Sequence, residues 1–465
     1  MSVPDTQDNR LLTAPVARVF MAQAVPLVLV MLMSGLQNIV DAMFLGHFIG
    51  TDALAAVSVI FPVLMTIIAL SVLVSGGMSS LLARHLGASD DAAAGAVFAG
   101  AHGLALCIAL ILNLAFAVFG SMGISHLSGG QAGIAEMART YLAITILATP
   151  VQFLLGLHGD AWRNEGRAGL MAVLTVGVTL ANIVLNYVLI VMLDLGVAGS
   201  AWGTALAQGL GLALLVGLRL RGGGQLSLGA SLRQSWVRFW PRILSLGAPV
   251  SLGFFGIGVV SATIVATLPV AAGDAFAETV AGYGVVTRIL SFTYLPFMAV
   301  ALAMQAVVGN NVGARLYVRS DAVLRLAAGV GLIYGLGMEI LLIGFSPWIG
   351  GLFADDPRVV AQVGDILRPM VWLYPLSGPI LVLSIYFQAV GQPLRTAILS
   401  LLKPFLLSPV LVLFLGTRFG TPTMWYAAPL AEAILAVVAI FIVVASLKQR
   451  TTGPGFGLAK QEGMA

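Results

Sequence analysis

One cysteine, Cys107, stands among 465 residues, so no intrachain disulfide and no cysteine-based metal site is available. Charged side chains are equally scarce: at 9% of the chain they are too few for a soluble globular domain or a disordered protein. The five histidines, His47, His85, His102, His126 and His158, have no second ligand three or four residues away. With no nucleophile set beside a base either, an enzyme is not expected, and neither is a metal or other cofactor. The net charge of +4 is not gathered into any basic block that could follow a phosphate backbone, which argues against a nucleic-acid partner. The first fifteen residues are polar, and the apolar run after them lacks a signal-peptide cleavage pattern, so it is expected to stay in the mature chain.

What the chain has in abundance is apolar surface. Hydrophobic residues make up 59% and mean hydropathy is +1.01, the composition of a polytopic membrane protein. Runs of about 20 residues suffice to cross ~30 Å of hydrocarbon. Twelve such runs are predicted, over 16–46, 53–84, 92–124, 134–158, 168–193, 196–219, 240–272, 278–312, 322–349, 360–388, 393–418 and 422–447. With both termini inside, seventeen Lys and Arg fall on the cytoplasmic side and only Arg139, Arg358 and Arg418 on the other. That positive-inside bias requires an even number of spans and fits a bacterial inner-membrane type of protein.

The longest connection, 220–239, opens with Gly222-Gly223-Gly224, read as a flexible joint, and continues with Trp236, Phe239 and Trp240 among arginines, as at a headgroup layer. It separates halves that resemble each other. An offset of 225 places Pro150 on Pro375 and Gly166 on Gly391; an offset of 226 places Leu86-Gly87-Ala88 on Val312-Gly313-Ala314. The expected organisation is an N-terminal tail (1–15), a first six-helix lobe (16–219), the linker (220–239), a second lobe (240–447) and a C-terminal tail (448–465). The class is all-α, two pseudo-symmetric six-helix lobes related by an axis along the membrane normal.

Polar residues inside the spans mark candidate sites, because a buried carboxylate at membrane depth costs roughly 3 kcal/mol on insertion scales. Ser34, Gln37, Asn38 and Asp41 share one face of the first span. Thr175, Thr179, Asn182 and Asn186 line the fifth, and Ser200, Thr204 and Gln208 the sixth, at four-residue or near-four-residue spacing. One carboxylate among amide and hydroxyl oxygens is proton or Na⁺ chemistry, so Asp41, Asn182, Asn186 and Thr204 are the candidate coupling site. Thr175 and Ser200 read as interhelical glue. Gln37, Asn38, Tyr141, Thr179 and Gln208 are expected to line the adjoining cavity, and Pro26 to let the first span bend. In the second half Arg288, Glu339, Arg368, Lys403 and Glu432 lie several residues from any helix end. Pairing among them is the expected reading, with a second cation site at Glu339 or Glu432 as the alternative, and Asp365 with Arg368 as a structural pair.

These residues resemble the multidrug and toxic compound extrusion (MATE) family over essentially the whole chain. The resemblance is carried by the Asp41 helix, by Arg163-Asn164-Glu165-Gly166, by Asn182-Ile183-Val184-Leu185-Asn186-Tyr187, by Gly196 to Thr204, and by Phe387-Gln388-Ala389-Val390-Gly391-Gln392-Pro393. It implies a V-shaped pair of six-helix lobes, acting as a monomer, that exports amphipathic, often cationic compounds in exchange for H⁺ or Na⁺. It also implies that Asp41, with Asn182 and Thr204, forms the cation site of the first lobe. Asn186 stands where that subgroup often has Asp, which moves the expectation from Na⁺ towards H⁺. The subgroup with a glutamate on the seventh span is not matched, since Pro249 to Gly258 contains no acid. A flippase for a lipid-linked saccharide shares the architecture and is the alternative, although it would want a strongly basic cavity.

Overall fold

The computed structural model describes residues 9–127, 132–352 and 356–448. Residues 1–8 and 449–465 of the two expected tails lie outside them. The described chain is almost entirely helical, because in lipid only a helix satisfies its own backbone. The membrane-length helices are α1 (Val16–Phe44), α2 (Thr51–Gly87), α3 (Asp91–Leu127), the pair α4 (Ala132–Leu147) and α5 (Thr149–Asn164), α6 (Ala168–Asn186) and α7 (Gly196–Leu220). Then come α8 (Trp240–Ala271), α9 (Phe276–Gly313), α10 (Tyr317–Gly344), the pair α11 (Pro357–Met370) and α12 (Tyr374–Ala389), α13 (Pro393–Leu402), α14 (Ser408–Phe419) and α15 (Ala427–Lys448). Five-residue π-helical turns join α13 to α14 (Lys403–Leu407) and follow α1 (Leu45–Ile49); a six-residue one follows α6 (Tyr187–Met192).

Among the described residues ten segments are long and apolar enough to cross a membrane, and counting each bent pair as one span makes twelve. The fourth and tenth spans, expected as single helices, are each broken: α4 meets α5 at 47° and α11 meets α12 at 56°. Pro150 and Pro375 sit in the first turn after each break, where proline starts a helix but cannot continue one. In contrast, α1 runs without a break through Pro26.

The chain divides into two compact units. Of the described residues, one unit comprises 9–13 and Met21–Ser251; the other takes Ala14–Phe20 and 252–448. The division thus falls within α8 and near the start of α1, and the 220–239 segment belongs wholly to the first unit. The core of the first unit is built on residues such as Ile60, Met78, Phe98 and Phe153; that of the second on Leu268, Val286, Val363 and Leu367.

The repeat is legible in the backbone. Positive φ recurs at Ser89 and Arg315 (226 apart), Gly166 and Gly391 (225) and Gly196 and Gly420 (224). A buried polar link recurs too: Arg163 donates to Ser79 Oγ at 2.9 Å in the first unit, and Gln305 to Gln388 Oε1 at 2.8 Å in the second, at the same offsets of 225 and 226.

The 220–239 connection is not a free joint. Arg219 and Glu165, with side chains 0% and 1% exposed, form an ion pair at 2.6 Å. Each then takes a linker atom: Arg219 donates to the Leu226 carbonyl, and Glu165 accepts from the Gln225 N–H. Beyond them the short helix Leu228–Leu232 and the Trp236–Phe239 turn lie along α3, where a side chain at Gly103 would meet the Trp236 carbonyl at 2.3 Å. Trp240 Nε1 donates to the Gly100 carbonyl at 2.9 Å. Glycines in α3 are needed here so that the linker backbone can approach.

Candidate functional site

The site forms where two helices change winding. The last turn of α1 carries Asp41 just before the π turn Leu45–Ile49, and α6 ends on Asn186 where the π turn Tyr187–Met192 begins. Such turns insert a residue into the hydrogen-bond ladder and re-aim side chains, and they are frequent at functional sites. The π turn after α1 packs against α2 and α7. Most of α1 is otherwise thinly covered, with Val25, Leu29 and Leu32 more than 40% exposed.

Three of the four residues expected at the coupling site form a hydrogen-bonded chain that ends on the fourth. Asn186 Nδ2 donates to Asp41 Oδ1 at 2.7 Å and lies 3.4 Å from Asn182 Oδ1, while Asn182 Nδ2 donates to Thr204 Oγ1 at 3.0 Å. Asn182, Asn186 and Thr179 are fully buried, so α6 presents an amide face to α1 on one side and to α7 on the other. Asn186 Oδ1 and Thr179 Oγ1 are buried acceptors without a donor, the kind of group that a cation, a proton carrier or a water satisfies.

What permits the approach is Gly203. A methyl group there would meet Asn186 Oδ1 at 2.1 Å, and one at Gly199 would meet the Leu189 carbonyl at 2.9 Å. The Gly196 to Thr204 stretch therefore holds α7 against the winding change in α6, as small residues do at membrane helix contacts. Spacing alone could have marked Gly199 and Gly203, which lie four residues apart; the π turns left no such trace.

The remaining polar residues divide. Tyr141, half-buried on α4, lies within electrostatic range of the Asp41 carboxylate. Gln37 and Gln208 are half-buried. Asn38, expected to line the adjoining cavity, is exposed and donates to the Ser34 carbonyl at 3.1 Å. A groove of about 500 Å³ between α4, α5, α6 and α7 is lined by Leu147, Leu185, Trp202 and other apolar groups, and offers nothing to an ion.

In the second unit the expected pairing is only partly realised. Lys403 and Glu432 form an ion pair. Arg368 instead donates to Ser346 Oγ at 2.9 Å, and no ion pair joins it to Asp365 among the described residues. Glu339 accepts the N–H of Leu373, the left-handed residue (φ +66°) at the break between α11 and α12, and so caps α12. Arg288 is exposed on α9 and enters no ion pair among the described residues. Two histidines read as scattered are in fact joined: His102 Nε2 and His158 Nε2 are 3.2 Å apart in the first unit. Their 56-residue separation hides the contact from any local spacing rule. No group of three or more His, Cys, Asp or Glu that could hold a metal occurs among the described residues.

A helical membrane bundle with a carboxylate held by amides between its first, fifth and sixth spans has the organisation of a polytopic membrane transporter. The MatE family profile matches residues 26–188 and 259–414, well over half of the chain, and the chain belongs to the MatE family. It is similar to the probable multidrug resistance protein YoeA of Bacillus subtilis, with 25% identity over 92% of this chain and 94% of that one. It is also similar to the multidrug export protein MepA of Staphylococcus aureus, with 24% identity and the same coverage. Among solved structures, the outward-facing conformation of a multidrug resistance MATE family transporter of the MOP superfamily superposes with a TM-score of 0.85 at 21% identity, covering 94% of this chain and 97% of that one. The protein is thus an integral membrane protein with the MATE fold.

Proposed function

We propose that this protein is a secondary active multidrug antiporter that exports amphipathic, often cationic compounds in exchange for H⁺ entering at Asp41. The observation that carries the reading is the Asn186–Asp41 hydrogen bond, which ties the carboxylate on thinly covered α1 to the buried amides of α6. The name of MepA states multidrug export and that of YoeA probable multidrug resistance.

Asp41 brings a charge-assisted bond to Asn186 while ionised. A proton on Asp41 removes that charge, weakens the bond, and frees the segment of α1 between Pro26 and its π turn to shift. A cationic compound and a proton then compete for one negative charge, which is the requirement of exchange. Na⁺ is the less favoured ion: it gains most from carboxylates, and with Asn186 where a second acid could stand, Asp41 is the one ionisable group of the hydrogen-bonded chain. Orientation with both termini in the cytoplasm, and action as a monomer, belong to the same proposal. Lipid-linked saccharide flipping is disfavoured, because it would want a strongly basic cavity, and the second-half spans bring to it, away from their ends, only Arg288, Arg368 and Lys403.

The test is transport in proteoliposomes under an imposed pH gradient and then an imposed Na⁺ gradient. Asp41→Asn keeps size and hydrogen bonding, so the protein is expected to fold and to lose gradient-driven export. Normal export by that variant refutes the assignment.

A further inference from the structure

The Lys403–Glu432 pair is not used by the antiport reading, and its surroundings differ from those of a plain structural bridge. Thr396, Leu399 and Lys403 follow at three- and four-residue spacing on one face; the first two are buried, so the ammonium is carried on the protein side of its span. Lys403 also opens the π turn Lys403–Leu407, so a winding change accompanies the charged group here as it does at Asp41. Glu432 is on the buried face of α15 with Ala431, Leu435 and Ala439. The two ends of the pair are unequal: the Glu432 side chain is 5% exposed and that of Lys403 32%. A visitor therefore meets the ammonium, with the carboxylate behind it.

An aromatic group lies on the neighbouring helices: α12, which begins at Tyr374, packs against α15, and Tyr294 and Tyr374 are within electrostatic range of Glu432. Phe297 packs edge-on against Tyr334 at 5.0 Å and at a tilt against Tyr374 at 5.3 Å, and Tyr374 OH meets Thr293 Oγ1 at 2.8 Å. The internal repeat gives this place a meaning. At the offset of 224 that relates Gly196 to Gly420, Glu432 falls on Gln208 and Lys403 on Thr179. The pair thus occupies, in the second unit, the level held in the first by the polar residues adjoining the Asp41 chain. Intramembrane charge at that cost is retained for function more often than for stability.

We infer that the second unit carries a ligand site in which Lys403, braced by Glu432, binds the carboxylate of an aromatic anion or zwitterion while the Tyr294, Tyr374 and Phe297 rings contact its apolar body. The inference rests on the transporter reading for its physiological meaning, but binding needs no ion gradient, so the two can fail separately. The probes are a xanthene dye with a free carboxylate and the methyl ester of the same dye, titrated by fluorescence anisotropy against the full chain in lipid nanodiscs. The unaltered protein is expected to bind the carboxylate form more tightly. Lys403→Met is expected to weaken that form roughly tenfold and leave the ester unchanged, the loss of one charge-assisted bond. Since Lys403→Met strands a buried carboxylate and risks misfolding, the double variant Lys403→Met with Glu432→Gln, neutral at both ends, is expected to lose the same preference in a folded protein. Equal binding of acid and ester by the unaltered chain, or a preference that survives in the double variant, overturns the inference.

Discussion

Gly203→Ala tests the geometry of the site without touching any of its polar atoms. The added methyl would stand 2.1 Å from Asn186 Oδ1, and ordinary contact begins near 3.4 Å, so the amide must retreat by about 1.3 Å or α7 must move away. The Asn186–Asp41 bond is 2.7 Å, and a retreat of that size in the amide breaks it. A hydrogen bond to a charged group is worth about 1.5–3 kcal/mol, or roughly ten- to a hundredfold in any equilibrium that depends on it. Overpacking costs about 1–3 kcal/mol of stability besides. Gly217→Ala, on the same helix with nothing within 4 Å of the added methyl, is the control. Export under a pH gradient and thermal unfolding in detergent are measured for both. Gly203→Ala is expected to lower export at least tenfold with a modest fall in Tm, and Gly217→Ala to change neither. Export at the unaltered rate by Gly203→Ala would show that the Asn186–Asp41 contact does not govern coupling.

Asn186→Asp adds a second carboxylate and is expected to shift export from dependence on the pH gradient towards dependence on Na⁺, read as export that survives a protonophore when Na⁺ is present; export still abolished by the protonophore contradicts the charge argument. Glu165→Gln leaves Arg219 buried without its counter-charge, so a loss of about 3–5 kcal/mol in stability and faster limited proteolysis within 220–239 are expected; an unchanged cleavage rate would mean that the pair does not hold the linker. A cysteine at exposed Ala230, in a Cys107→Ser background, is expected to resist an impermeant thiol reagent in intact cells and to react in inverted vesicles. Labelling from outside reverses the proposed orientation.

Hydropathy and charge made the spans legible because lipid enforces a length and a composition on any helix that crosses it. The hydrogen-bonded chain of Asp41, Asn186, Asn182 and Thr204 was legible for a related reason: a carboxylate and two amides are expensive in that setting, and each was spaced to share a face with its neighbours. Three things were hidden. The breaks at Ala148 and Leu373 depend on how a proline-led helix packs, not on proline alone, since Pro26 interrupts nothing. The 220–239 segment looked flexible because glycines were read as freedom, whereas the glycines that matter are those of α3 that let it dock. Arg219 and Arg163, counted as surface markers of the cytoplasmic side, are 3% and 4% exposed and bound to Glu165 and Asp160.

The duplicated halves explain why these hidden features took the form they did. A repeat preserves what the backbone requires, and so left-handed residues, broken spans and a buried polar link recur at offsets of 224 to 226. Side-chain chemistry is under no such constraint. Where the first unit links Arg163 to Ser79, the second links Gln305 to Gln388. Where the first has Thr179 and Gln208 near a carboxylate, the second has Lys403 and Glu432, and Val410 stands opposite Asn186 at the same offset of 224. One unit therefore keeps a single acid among neutral donors, which suits an exchangeable cation, and the other keeps a self-neutralised pair, which suits a ligand able to compete with an internal counter-charge. Duplication supplied two equivalent places, and divergence at the positions of Thr179, Asn186 and Gln208 was enough to give them different chemistry on one backbone.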